Sequence, residues 1–281
     1  MRKVTRSETL KEPFLTSAMT TLALSMIVLI FGAPFVWIIA QAIDNAGTGA
    51  LPIPREPSLD NFRVLFDDEI VRVAIRNSVV VSMVSMGGGT LFAALAGFGL
   101  SRLRMKRKEE IVYAVILLYA IPLTVTMIAI FELAIRLELS NNLRGLIVAE
   151  IAVTLPFLAW LMKGFYDAVP EQIDEAVMVD GGSIWRAWWN VLTPAVLPGL
   201  GIVAGLAFVI SWSDALLPIV LISDPDLTTL ARFFFSSATT ATSHREMAAL
   251  GVVFLVPVLV VVVALRSISL RTVAESDHER M

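Results

Sequence analysis

The 281-residue chain contains no cysteine, which removes disulfides, thiolate metal sites and cysteine nucleophiles from consideration. Charge is scarce as well: Asp, Glu, Lys and Arg make up 17% of the residues, against about 25% in an ordinary soluble domain. Histidine occurs only at His244 and His278, and neither pairs with a carboxylate inside an apolar run. With no HExxH and no GxSxG, the common zinc-protease and serine-hydrolase constellations are excluded, and neither catalytic nor metal-binding residues are expected. No GxxxxGK[ST] is present to cradle nucleotide phosphates, and no bound cofactor is expected. A net charge of −3 does not suggest a nucleic-acid partner.

What the chain has in quantity is apolar sequence, 57% of its residues, with a mean hydropathy of +0.77. A hydrocarbon core about 30 Å thick needs roughly 20 apolar residues per crossing helix. Runs of that kind lie near 15–42, 73–100, 111–135, 144–163, 195–222 and 247–266, which predicts an all-α membrane protein with about six spans. The first run, Leu15 to Ile43, is too long for a signal-peptide core and lacks a small-residue cleavage site, so it is expected to stay in place. Arg2, Lys3, Arg6 and Lys11 precede it. Arg102, Arg104, Lys106, Arg107 and Lys108 follow the second span, and Arg266, Arg271 and Arg280 follow the sixth. Basic residues stay on the cytoplasmic side, so both termini are expected there. The opposite face then carries the acidic, proline-rich stretch from Asp44 to Ile70 (Pro52, Pro54, Pro57, Asp60, Asp67, Asp68, Glu69), with room for one short helix.

Gly87, Gly88 and Gly89, and then Pro122, Pro156, Pro218 and Pro257, interrupt the later spans. Singly, each reads as close packing or a kink; together they suggest a bundle around a pathway.

Between the fourth and fifth spans, from Gly164 to Thr193, the chain is far longer than a hairpin needs. Pro170 suits a first helical turn, Glu171 and Asp174 sit near its positive end, and Ile173, Ala176 and Val177 recur at helical spacing. Gly181 and Gly182 break that helix. Ser183 is a good N-cap for a second, whose apolar face is Trp185, Trp188, Trp189 and Leu192, with Pro194 as its stop. Spacing alone allows either an interfacial hairpin or a partner-docking device.

Glu175-Ala176, Gly181 six residues on, and Val191-Leu192-Thr193-Pro194 resemble the EAA signature of ATP-binding-cassette importer permeases, E-A-A-x3-G-x9-I-x-L-P. Val177, Val191 and Thr193 replace the signature's second alanine, its isoleucine and its leucine. Leu155-Pro156-Phe157, Lys163-Gly164-Phe165 and Ile210-Ser211-Trp212-Ser213-Asp214 are similar to the maltose-type carbohydrate permeases, and the likeness runs from about Asn77 to the sixth helix. The resemblance implies the type I importer permease fold, with a cytoplasmic coupling helix that fits a cleft of a partner ATPase. It also implies a second related permease, ATP-binding subunits, an extracytoplasmic solute-binding protein and a carbohydrate-like solute. The coupling residues are then Glu175, Ala176, Val177, Asp180, Gly181, Arg186 and Pro194, with Arg186 able to pair with Asp180 or with the partner. The expected organisation is a cytoplasmic tail (1–14), a first transmembrane helix (15–42), an outer loop (43–72), a permease core (73–266) containing the coupling loop (164–194), and a cytoplasmic tail (267–281).

Glu132, Glu150 and Asp214 fall inside spans, where ionisable groups are costly. Trp212 beside Ser211, Ser213 and Asp214 offers a ring face, hydroxyls and an acceptor, which suits a sugar; holding the bundle together is the equal alternative. Asn77 and Tyr119 are further pathway candidates. Glu132 and Glu150 receive no role. An ion- or proton-coupled secondary transporter is the alternative reading, although the inverted repeats usual in that class are not detectable.

Overall fold

In lipid every backbone N–H and C=O must be satisfied within its own segment, so the apolar runs become helices. The computed structural model describes residues 14–46, 53–239 and 243–278, with side chains described except at 14–18, 239 and 267–278. The basic residues Arg2, Lys3, Arg6, Lys11 and Arg280, and Pro52 of the acidic loop, lie outside those ranges. Among the described residues there is no strand, only an isolated bridge between Asp44 and Pro57.

The first long helix is α1 (Phe14–Ala42). A short α2 (Asp60–Asp67) occupies the acidic loop, where room for one had been expected. Next come α3 (Glu69–Arg102), α4 (Lys108–Ala120), α5 (Leu123–Arg136) and α6 (Leu143–Asp167). The long polar segment holds α7 (Gln172–Val179) and α8 (Ile184–Ala187), which runs through a π turn (Trp188–Leu192) into α9 (Thr193–Ala195). The chain ends with α10 (Leu197–Ser213), α11 (Leu216–Leu221), α12 (Leu230–Thr239) and α13 (His244–His278). α13 thus continues past the expected boundary at 266.

Four helices (α1, α3, α6, α13) are individually long and apolar enough to cross a membrane, and counting two bent pairs raises the number to six. The expected third span is not one straight helix: α4 and α5 meet at 90°. Pro122 is the cause. It lacks an N–H, and it forces Ile121 into an extended conformation with ψ 122°. By contrast α6 and α13 run through Pro156 and Pro257 unbroken. The fifth span is also interrupted, because Asp214 is extended between α10 and α11.

The frame is the pair α3 and α6, the most extensively packed helices of the fold. Of the flagged glycine triplet, Gly88 faces Ile151 closely while Gly87 has nothing within 4 Å. The tightest approach of the two helices is at Gly97, where a Cβ would lie 2.6 Å from Met162 Cβ and 2.8 Å from the Lys163 nitrogen. Around this crossing Ala93, Ala94, Phe98, Leu158, Met162 and Tyr166 form one buried cluster. A second cluster, at the α2 end, joins Ala42, Leu65, Val71, Trp212 and Leu250. α1 exposes its apolar side chains along nearly its whole described length, as expected of a helix solvated by lipid or by another subunit.

At the α2 end, buried Asp44 accepts the backbone N–H groups of Glu56 at 3.0 Å, Arg55 at 3.1 Å and Ala46 at 3.2 Å. The Glu56 N–H foremost holds its carboxyl below the ordinary value of 3.8. A carboxylate lowered on folding stabilises above its unfolded pKa of about 3.9 and ceases to as pH falls through the folded value. Solvent exchange of the Glu56 backbone amide should therefore be slow at neutral pH and lose its protection below about pH 3, whereas Asp44→Ala should lack that protection at both. The helix crossing gives a second expectation. Gly97→Val should lower the melting temperature in detergent, overpacking costing about 1–3 kcal/mol. Gly87→Ala, with open space, should be neutral or gain up to about 1 kcal/mol of helix propensity.

Candidate functional site

The segment after α6 is held to the bundle at two points. Asp174 on α7 forms an ion pair with the Nε of Arg102, the last residue of α3, at 2.5 Å, and both side chains are almost fully buried. Arg102 also donates to the Val169 carbonyl at 2.6 Å. Beside it Ser101 Oγ donates to Asp167 at 2.6 Å, and Lys163 pairs with Asp167 at 2.5 Å. α7 is thereby fastened to the ends of α3 and α6 together. Burial raises the Asp174 carboxyl above its ordinary value; the Arg102 guanidinium acts against that rise, while Glu171 and Glu175 add to it.

This arrangement sets the two faces of α7. Ile173 and Ala176 point outward and the acid Asp174 inward, because Arg102 waits inside. Met178 and Val179 are exposed too, Val179 at 86%, so α7 presents an apolar strip with Glu175 beside it. Pro170 lies ahead of the helix, whose N-cap is Glu171. The helix closes as a Schellman motif: Gly182 N–H reaches the Val177 carbonyl at 2.9 Å and Gly181 N–H reaches that of Met178 at 3.1 Å. Gly181 has φ +79°, a conformation that disfavours any other residue, and a Cβ there would meet nothing within 4 Å. It is exposed, as are Asp180 and Arg186, which form no ion pair with each other.

The second attachment is made by tryptophan. Ser183 caps α8 as expected, accepting the Arg186 N–H at 3.3 Å. Trp188 and Leu192 are buried against α3 and α6, and Trp188 Nε1 donates to the Tyr166 hydroxyl at 2.9 Å, with the Phe98 ring 6.0 Å away. Trp185 and Trp189 instead face outward, at 60% and 64% exposure, so the predicted single face is divided. Nor does Pro194 stop the helix. The wide π turn before it tolerates the missing donor, and the chain turns at Val196, where the two helical stretches meet at 78°.

A cavity of about 600 Å³ opens where α4–α5 and α10–α11 are broken. Tyr119, Pro122, Glu150, Thr154, Ser211 and Asp214 are among its lining residues. Tyr119 stacks on Phe157 at 5.0 Å. Asp214 Oδ1 accepts the Leu216 N–H at 2.9 Å and so starts α11. Three of the expected pathway residues do not line this cavity. Asn77 is buried and donates to the Asp226 and Thr228 carbonyls, each at 3.0 Å, so it fixes a loop. Trp212 turns into the core, stacked on Phe208, with its N–H 2.9 Å from the Phe254 carbonyl. Ser213 is exposed elsewhere. Glu132 pairs with Arg136 at the surface, 2.5 Å away.

Residues 70–274 match the family of the binding-protein-dependent transport system inner membrane component. The chain belongs to this family. The permease is 29% identical to the sulfoquinovosyl glycerol transport system permease protein SmoH of Agrobacterium fabrum, over 70% of each chain. It is 28% identical to the maltodextrin transport system permease protein MalD of Streptococcus pneumoniae, over 77% of this chain and 78% of that one. A bacterial ABC transporter involved in import of the acidic polysaccharide alginate shares the fold, with a TM-score of 0.75 at 16% identity, covering 93% of this chain and 99% of that one. The permease is thus a non-catalytic, multi-pass subunit of an ATP-driven importer in a bacterial inner membrane, working with an ATPase and a solute-binding protein. That membership displaces the ion-coupled alternative.

Arg102 and Asp174 form a buried ion pair that spacing did not reveal. Arg102→Ala or Asp174→Ala should each cost about 3–5 kcal/mol by leaving one buried charge alone, whereas replacing both with apolar residues of similar volume should recover most of it. Hydrogen exchange over α7 in the purified complex measures this as lost and regained protection.

Proposed function

We propose that this permease carries a carbohydrate or related polyol and couples to its ATPase through α7. The solute class is supported by the relatives' named solutes, a maltodextrin and sulfoquinovosyl glycerol among them. It is also supported by a cavity lined with hydroxyls, two carboxyl groups and a stacked tyrosine. A pyranose offers an apolar ring face and many hydroxyls to such a lining. The coupling reading rests on one observation above all: α7 exposes an apolar strip outward and buries an ion pair to α3 inward. An exposed apolar strip rimmed by charge marks a protein interface.

In this reading Glu175, Asp180 and Arg186 meet charges on the ATPase and fix register. Ala176, Val177 and the bare backbone at Gly181 let its surface approach, and Pro194 belongs to the brace that holds α7 in place. Tyr119, Ser211 and Asp214 line the solute path. No bound cofactor is assigned to this chain.

The basic residues on the α7 side orient that face and both termini to the cytoplasm, and the α2 loop toward the binding protein. A second, related permease supplies the other half of the path. When the ATPases close on ATP, the two α7 helices approach each other and the path opens outward; hydrolysis resets it.

Replacing Glu175 and Gly181 together, with Glu175→Ala and Gly181→Val, should weaken association with the ATPase at least tenfold in a co-purification titration and abolish uptake. Unchanged association and uptake would remove α7 as the coupling element.

A further inference from the structure

The carbohydrate reading leaves the charge of the solute open, and the cavity bears on it. Glu150 lies on α6 near the centre of the bundle and is 3% exposed. Its Oε2 accepts from Ser85 Oγ of α3 at 3.0 Å and from Ser211 Oγ of α10, and Ser82 Oγ lies 3.4 Å from Ser211 Oγ. One oxygen thus ties three helices together. Its other oxygen, Oε1, is buried without a hydrogen-bond partner, and Glu150 lines the cavity. A buried acceptor left unpaired costs about 1–3 kcal/mol, so a residue serving only to bind helices would be poorly built in this way. Among the described residues of this chain, no Lys, Arg or His lines the cavity.

We propose that Glu150, held by Ser85 and Ser211 with Oε1 unpaired in the cavity wall, is a solute-contacting residue and selects a neutral, hydroxyl-donating solute over an anionic one. A sugar hydroxyl satisfies Oε1. A carboxylate or phosphate on the solute would have to shed its water on this chain's side of the path with no cation of this chain to replace it, beside two carboxyl groups, Glu150 and Asp214. Tyr119 supplies the flat apolar surface alongside. The inference rests on the carbohydrate reading, and it adds a charge preference and a residue that carries it.

The test is equilibrium binding to the assembled permease pair and ATPase in detergent, without the binding protein, so that no other subunit preselects the solute. Neutral trisaccharides of several linkages are each compared with the matching trisaccharide bearing one uronate. The intact complex should prefer the neutral member. In Glu150→Gln the amide oxygen takes the two serine donors, so its NH₂ faces the cavity where an acceptor stood. The neutral-to-uronate ratio should fall about tenfold, whereas a residue that only packs helices would weaken both members equally. Glu150→Ala removes the carboxyl outright and should also reduce the ratio, which keeps the test usable if the first variant does not assemble. An unchanged ratio in an assembled variant, or a preference of the intact complex for uronates, overturns the inference and leaves the carbohydrate reading standing. Failure of the intact complex to bind any trisaccharide of either kind counts against both.

Discussion

Two opposite charges shut away from water must satisfy each other, and the placement of α7 depends on that requirement at Arg102 and Asp174. Arg102 ends the longest helix of the α3–α6 frame, so its position is set by the close packing at Gly97. Asp174 turns its helix so that an acid faces inward and apolar residues face outward. The same contact that fixes α7 therefore also turns its apolar strip outward. Trp188, donating to Tyr166 in the core beneath, prevents the segment from pivoting about the ion pair. α7 is thus fastened to the ends of both α3 and α6.

Those helices reach the cavity. α3 carries Ser85 and α6 carries Glu150, while Ser211 comes from α10, which packs against both. The cavity exists because Pro122 and the extended Asp214 stop two helices from filling the space. Continuity in α3 and α6 and interruption in α4–α5 and α10–α11 are complementary: in the proposed function the first transmits displacement and the second leaves room for a solute. Small shifts at one end of packed helices can be passed along them because a close-packed interior deforms little.

Much of this was legible in the sequence, for identifiable reasons. Apolar run length marks spans because lipid thickness is fixed, and the Gly181–Gly182 break and the Ser183 cap are local backbone chemistry. What was not legible depends on long-range partners. Asp174 looked like an acid at a helix start; its inward orientation requires Arg102, 72 positions earlier in the chain. Asn77 and Trp212 resembled pathway residues because type and context suit a sugar, yet each is consumed by a backbone carbonyl in a distant element. Glu150 drew attention only as an acid in a span, since the serines that hold one oxygen and spare the other come from two other helices. The tryptophan face was misjudged for a different reason: a π turn shifts the helical register, and 3.6-residue spacing does not anticipate it.

The central claim is that α7 and the α3–α6 frame move as one body. The chain has no native cysteine, so paired spin labels can be introduced without removing any. Labels at Val179 on α7 and Leu103 just beyond α3, both exposed, report the distance between the two elements. In the complete transporter in lipid, measured without nucleotide and with ATP trapped, the account predicts the same distance distribution in both states while the separation of the two permeases' α7 helices changes. A shift of several ångströms between Val179 and Leu103 on ATP binding would contradict it.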